Sequence, residues 1–234
     1  MASDNVLIKL EGVEFAYPGR PALFNGLDFA LRAGEHVGIL GPNGSGKSTL
    51  FHIIMGLKKP AAGSVEIMGR EIRDEKDFQW ARRRVGLLFQ DSDDQLFCPT
   101  VEEDIAFGPL NLGKSHDKAR AIVRDVLKEL GMTGFEKRVT HKLSGGEKRI
   151  IALATVLAMR PDVLLLDEPT TALSEEYMEK IAQILLNMNT SYVVVSHDKS
   201  FFQKITDRQY RLQDNRLHQT RQTKGADPLA RKLP

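Results

Sequence analysis

The sequence predicts an α/β fold: a parallel sheet with an antiparallel β edge and an inserted helical subdomain. Three observations carry this. Short runs nearly continuous in apolar residues, His36 to Leu40, Val163 to Leu166 and Tyr192 to Val195, have the length of strands covered on both faces. Helix-patterned segments lie between them, and strand–helix–strand alternation implies parallel strands joined by right-handed crossovers. The chain of 234 residues, 41% apolar and 27% charged, has enough apolar material for a sizeable core.

Taken in order, Val6 to Leu10 and Val13 to Tyr17 are strand-like, and Pro18-Gly19 turns the chain. Leu27 to Leu31 alternates apolar and polar residues, then Ala33-Gly34 turns into the run ending at Leu40. A glycine-rich loop follows, with a helix over Ser48 to Met55. The stretch from about 91 to 160 reads as the helical subdomain. Within it, Ser115 to Leu130 carries Ala119, Ile122, Val123, Val126, Leu127 and Leu130 on one face, between an N-capping serine and Gly131. A second helix runs from about Gly145 to Met159 and ends before Pro161. The last third gives the strand at Val163, a helix from about Ser174 to Met188, and the strand ending at Val195. After Asp214 the composition turns polar and basic (Arg216, Arg221, Lys224, Arg231, Lys232) without apolar periodicity. The expectation is one domain over 1–213 and a loosely held tail over 214–234, with no internal repeats.

Lys plus Arg number 33 against 31 for Asp plus Glu, a formal charge of +2. That balance argues against binding nucleic acid by broad phosphate neutralisation. The one cysteine, Cys98, cannot close an internal disulfide, which favours a reducing compartment. It either fills space in Phe97-Cys98-Pro99 or is a reactive thiol, the first being the commoner fate of a free cysteine. Asp4, Lys9 and Glu11 interrupt any apolar region near the start, so no signal peptide is expected. No run approaches the ~20 apolar residues of a membrane span, so any membrane is met through a partner.

Gly41-Pro42-Asn43-Gly44-Ser45-Gly46-Lys47-Ser48-Thr49 fills every fixed position of the P-loop pattern between a strand and a helix. Gly44 and Gly46 let backbone N–H groups turn inward, and the helix N-terminus adds its positive dipole end. Lys47 supplies a point charge for β- and γ-phosphates, and Ser48 a hydroxyl for Mg²⁺. Val163-Leu164-Leu165-Leu166-Asp167-Glu168 delivers two carboxylates to the C-terminal end of a buried strand, where open α/β sheets gather ligands. Asp167 suits the Walker B role of holding Mg²⁺, directly or through water. Glu168 is then placed to orient and polarise an attacking water.

Leu143-Ser144-Gly145-Gly146-Glu147 resembles the signature motif of ATP-binding-cassette ATPases, and few other families carry both it and a P-loop. The resemblance extends over about Val6 to Leu212. It implies a P-loop ATPase core that hydrolyses ATP with Mg²⁺ between two head-to-tail copies, identical or paralogous. Ser144, Gly145 and Gly146 would then form an anion site for the γ-phosphate bound by the other subunit. Tyr17 is similar to the aromatic that stacks on adenine, a contact of ~1–3 kcal/mol. Gln90 resembles the Q-loop glutamine that touches Mg²⁺ and the water, and His197 the switch histidine at the γ-phosphate. Where the family usually has Ala-Leu-Asp, this chain has Ala172-Leu173-Ser174. Ser174 can still cap a helix, but a cross-dimer contact by that carboxylate comes into doubt.

Gln90-Asp91-Ser92-Asp93-Asp94-Gln95-Leu96-Phe97 is similar to the segment of energy-coupling-factor importers and related cobalt and nickel importers. That likeness implies a peripheral motor at the cytoplasmic face of the membrane, with integral subunits docking near Gln90 to Phe97. Cobalt or nickel is the first candidate cargo and a vitamin the second. The rival class is a soluble cassette ATPase acting in DNA repair or on the ribosome. It generally carries a long coiled-coil insertion or two cassettes per chain, and neither pattern is present here.

Overall fold

The computed structural model describes residues 5–222. Val6–Ala16 forms one long strand, β1, where the sequence suggested two. A bulge at Gly12 shifts its register against both neighbours, which hides the continuity from a period-two reading. Antiparallel to it lie β2 (Ala22–Arg32) and β4 (Ala62–Ile67), and β5 (Arg70–Glu71) completes a four-stranded sheet in the order β2-β1-β4-β5.

The second sheet has six strands. β3 (His36–Leu40), β6 (Val85–Leu88), β7 (Val163–Asp167), β8 (Ser191–Val195), β9 (Arg208–Gln213) and β10 (Arg216–Gln222) lie in the order β10-β9-β3-β8-β7-β6. All neighbours are parallel except β10 against β9. The expected tail therefore needs correction. Residues 216–222 add an edge strand to the sheet, through a tight turn in which Asp214 and Asn215 both have positive φ. Such turns match strand twist and favour Asp and Asn. Lys224, Arg231 and Lys232 lie outside the described residues.

The sheet is buried on both faces, and side-chain alternation sorts its residues into two cores. Val163, Leu165, Val193 and Val195 face β1, β2 and the helix α1 (Lys47–Ile54), whereas Leu164, Leu166, Tyr192 and Val194 face the helices of the other layer. Those helices are α3 (Val101–Asn111), α4 (His116–Glu129), α5 (Gly145–Leu157), α6 (Glu175–Asn187) and α7 (Lys199–Ile205), and a short helix α2 (Glu75–Ala81) precedes β6. In α4 the buried stripe is Ala119, Val123, Val126 and Leu127, and Ser115 Oγ accepts from Lys118 N as its cap. α6 starts after Ser174 as expected, although the serine side chain makes no capping hydrogen bond.

Candidate functional site

Leu40 ends β3, and the chain turns through residues 41–46 into α1. Gly46 is the N-cap at φ +104, and a Cβ there would come within 2.8 Å of Phe24 and 2.9 Å of Leu23. Side chains are thus doubly disfavoured at this glycine, by conformation and by space. The N-terminus of α1 opens onto a cavity of about 730 Å³, lined among others by Tyr17, Asn43, Gly44, Ser48 and Thr49. That volume suits a nucleotide-sized ligand. Lys47 is buried along the loop, its Nζ donating to Gly41 O at 2.9 Å and Pro42 O at 3.1 Å. Ser45 Oγ is buried against Gly41 without a hydrogen-bond partner. Tyr17 stands at the rim, its hydroxyl 3.0 Å from Thr49 Oγ1 and its ring edge-on to Phe15.

Opposite the loop, β7 brings Asp167 and Glu168 to the same cavity. Burial raises the Asp167 pKa above the ordinary carboxylate range, a hydrogen bond from Ser48 opposes this, and the Glu168 charge adds to it. Asp167 Oδ1 is buried and unpartnered. An orphaned carboxylate oxygen, the Ser48 hydroxyl and the nearby Gln90 amide form a hard-oxygen set that fits Mg²⁺ with phosphate oxygens and water completing it. Glu168 is buried at φ +46. Its Oε2 lies 2.9 Å from His197 Nδ1 and accepts from Thr171 Oγ1 at 3.2 Å. The His197 side chain is 67% exposed, so its outer ring edge faces solvent at the mouth of the site.

Ser144 is the N-cap of α5 in a reciprocal box: Glu147 N donates to its Oγ at 3.3 Å, and its own N donates to Glu147 Oε2 at 2.8 Å. At Gly146 a Cβ would meet the Tyr177 ring at 2.4 Å, so α5 and α6 can approach this closely because the residue is glycine. Ser144 and Gly145 are exposed and lie outside the cavity that Lys47 lines. Gly145 instead lines a neighbouring cavity, which Ser48 and Asp167 reach from the other side.

Gln90 lines the nucleotide-sized cavity and a neighbouring one of about 610 Å³ shared with Asp91, Gly145 and Arg149. The acidic segment after it is partly compensated. Asp93 pairs with Lys148 at 2.6 Å, and Asp91 Oδ1 accepts from Asp93 N at 2.9 Å. Gln95, in the same segment, points inward: its Oε1 accepts from Phe89 N, and its Nε2 donates to Ala152 O and Thr155 Oγ1. Phe97 remains outside, edge-on to Phe107 at 4.9 Å. Leu57, Phe97 and Phe107 are 49%, 64% and 47% exposed, and all three line one groove behind the Gln90 loop.

Sequence reasoning missed Arg149. It is buried beneath the site, with Nε donating to Pro169 O at 3.0 Å, Nη1 to Phe89 O at 2.6 Å, and Nη2 to Asp167 O at 3.3 Å and to Glu168 O. A signal existed: a cation between Gly146, Ala152 and Leu153, its i−3, i+3 and i+4 neighbours on a helix face otherwise apolar.

A family model described as ABC transporter matches residues 24–171. The energy-coupling factor transporter ATP-binding protein EcfA of Methanothermobacter thermautotrophicus is 44% identical over 216 residues, covering 90% of this chain and 69% of that protein. Among solved structures, cbiO1 from Clostridium perfringens, described as part of the ABC transporter complex cbiONQ, superposes with a TM-score of 0.84. It is 32% identical, with 92% of this chain and 87% of that one covered. A dimeric ATP-binding cassette, MJ0796, bound to ADP and Pi in a post-hydrolysis state, gives the same TM-score at 29% identity, with 94% and 100% covered.

Proposed function

The chain belongs to the ABC transporter family as an ATP-binding, ATP-hydrolysing subunit, and on that basis we propose that it is the motor of a membrane importer of the energy-coupling-factor type. The observation that carries this reading is the placement of three features. Lys47 lines a cavity that Ser144 and Gly145 of the same chain do not reach, Ser144 and Gly145 are exposed, and an exposed apolar groove sits directly behind Gln90.

A head-to-tail dimer brings each Ser144, with the N–H groups of Gly145 and Gly146, over the γ-phosphate of ATP in the partner's P-loop. There the helix end and the serine hydroxyl meet negative charge. The amides of Asn43, Gly44, Ser45 and Gly46 cradle the phosphates, Thr49 extends the helix N-terminus beneath them, and Lys47 turns its ammonium from Gly41 O and Pro42 O to the β- and γ-oxygens. Tyr17 stacks on adenine. Ser48, Asp167 and Gln90 would hold Mg²⁺, which when bound would supply positive charge to neutralise the transferred phosphoryl group. Glu168 accepts a hydrogen bond from the attacking water and polarises it in line with the γ-phosphorus. His197 keeps the carboxylate oriented through Nδ1 and reaches the γ-phosphate with its exposed edge. Catalysis is chiefly positioning and electrostatics.

Integral membrane subunits dock at Phe97 and Phe107, so that a change at Gln90 reaches them through a few residues. An apolar patch of this kind on a subunit surface marks an interface. Among the described residues no helix is long and apolar enough to cross a membrane, and the motor sits peripherally at the cytoplasmic face. The likeness of the Asp91 to Phe97 segment puts cobalt or nickel first as cargo and a vitamin second. The test is copurification with integral subunits from detergent-solubilised membranes. Capture that Phe97→Ser with Phe107→Ser abolishes, while free ATPase activity persists, supports the proposal. A wild-type chain that brings down no membrane protein overturns it.

A further inference from the structure

We infer that Arg149 is the positioning residue of this site: one guanidinium, bonded to backbone on both sides of the reaction centre, sets Gln90 and Glu168 relative to the helix that begins at Ser144. The inference rests on the roles given above to those two residues. Arg149 lies in the second turn of α5 and is 3% exposed. A buried arginine ordinarily meets a carboxylate, since an unpaired charge is costly in the interior. Here all four hydrogen bonds named above end on main-chain oxygens, one before Gln90 and three around Glu168. The carboxylates of Asp167 and Glu168 are engaged elsewhere, with Ser48 and with His197 and Thr171.

Geometry explains why this is more than packing. Glu168 has left-handed backbone at φ +46, which non-glycine residues adopt when the surroundings enforce it. Three successive carbonyls, of Asp167, Glu168 and Pro169, turn toward the same guanidinium, and that convergence fixes the kink. The fork is planar and rigid, so the position of Phe89 O on one side determines that of Pro169 O on the other. Two further ties hold the Gln90 segment to α5: Asp93 with Lys148, and Gln95 with Ala152 and Thr155. The segment from Phe89 to Gln95 is therefore fastened to α5 at three points, and Arg149 extends that fastening to the catalytic glutamate. A displacement of the first turn of α5, which carries Ser144, is then transmitted to Gln90 and Glu168 together.

Arg149→Lys keeps the charge but replaces the fork with a point donor that cannot span both loops, and Arg149→Gln keeps part of the fork without charge. For each, kcat and KM of ATP hydrolysis, ATP affinity by calorimetry and the cooperativity of thermal melting are measured beside Glu168→Gln. The expected result for Arg149→Lys is a fall in kcat of about 10- to 100-fold, the scale of a sub-ångström to 1 Å misplacement, with ATP affinity within about threefold of wild type. A kcat within about twofold of wild type overturns the inference. So does a parallel loss of affinity, or failure of both variants to melt cooperatively, since either places Arg149 in folding alone. Wild-type turnover in Glu168→Gln overturns the underlying reading, whereas an inactive Glu168→Gln beside a fully active Arg149→Lys overturns this inference alone.

Discussion

Asp104 offers a quantitative test of how the apolar groove is held open. The residue sits in the first turn of α3 and is 3% exposed. Its Oδ1 accepts from Phe97 N at 3.0 Å and Cys98 N at 2.9 Å, and its Oδ2 from Thr140 Oγ1 at 2.9 Å. Asp104→Ala strands three donors. Each stranded buried donor costs about 1–3 kcal/mol, and the two amides are only partly buried, so their cost falls at the low end. Loss of a carboxylate near a helix N-terminus adds about 0.3–1 kcal/mol. The expected destabilisation is about 3–6 kcal/mol, a large share of the 5–15 kcal/mol typical of a folded domain. Asp104→Asn can keep its oxygen on the two amides and turn its NH₂ to the threonine hydroxyl, so about 1 kcal/mol is expected there. Urea denaturation measures both, and an Asp104→Ala variant within about 1 kcal/mol of wild type would falsify the assignment. A second reading comes from Cys98, whose thiol is pushed up to about 11 by burial, with Asp104 next in weight. Asp104→Asn removes the charge and leaves the burial, so alkylation of Cys98 at mildly alkaline pH should quicken; an unchanged rate would refute the contact.

Glu168→Gln should keep ATP affinity and lower kcat by about 10²–10⁴-fold, the usual weight of a positioned general base, while trapping a closed dimer visible by size-exclusion chromatography. Steady-state hydrolysis near wild type would remove Glu168 from the mechanism. Ser144→Arg should leave ATP binding to the isolated subunit intact and block ATP-dependent dimerisation, because the bulk enters the face that the proposed head-to-tail dimer sets against the partner's γ-phosphate. Dimerisation of that variant with ATP would contradict a composite site.

Much of the nucleotide cradle was legible because its chemistry is local. A P-loop needs specific residues at fixed spacing, and the strand before it and the helix after it are encoded within a few residues on either side. The α4 stripe and its Ser115 cap were legible for the same reason. What stayed hidden depends on long-range packing. The β1 bulge at Gly12 broke the alternation, and β10 carries little apolar signal because it is an edge strand. Its Asp214-Asn215 turn was the available cue. Arg149 bonds to residues 18 to 60 positions away, so no window of sequence contains both the guanidinium and its acceptors. Lys148 as the partner of Asp93 was hidden likewise.

The order of strands also bears on how this chain is made. β3, which carries the P-loop, pairs on one side with β8 and on the other with β9. Both neighbours come from the last fifth of the chain, whereas β3 ends at Leu40. During synthesis the strand and its loop leave the ribosome long before either flank exists. Contacts of such large sequence separation form late and slowly. Meanwhile β1 and β2, joined by a short connection, can pair early and supply Leu10, Leu27 and Phe29 as a surface for nascent apolar segments. The strand bearing the phosphate loop is thus among the last parts of the molecule to be locked, and a ribosome-bound chain stalled before Tyr192 would display a correct P-loop sequence with no sheet to hold it.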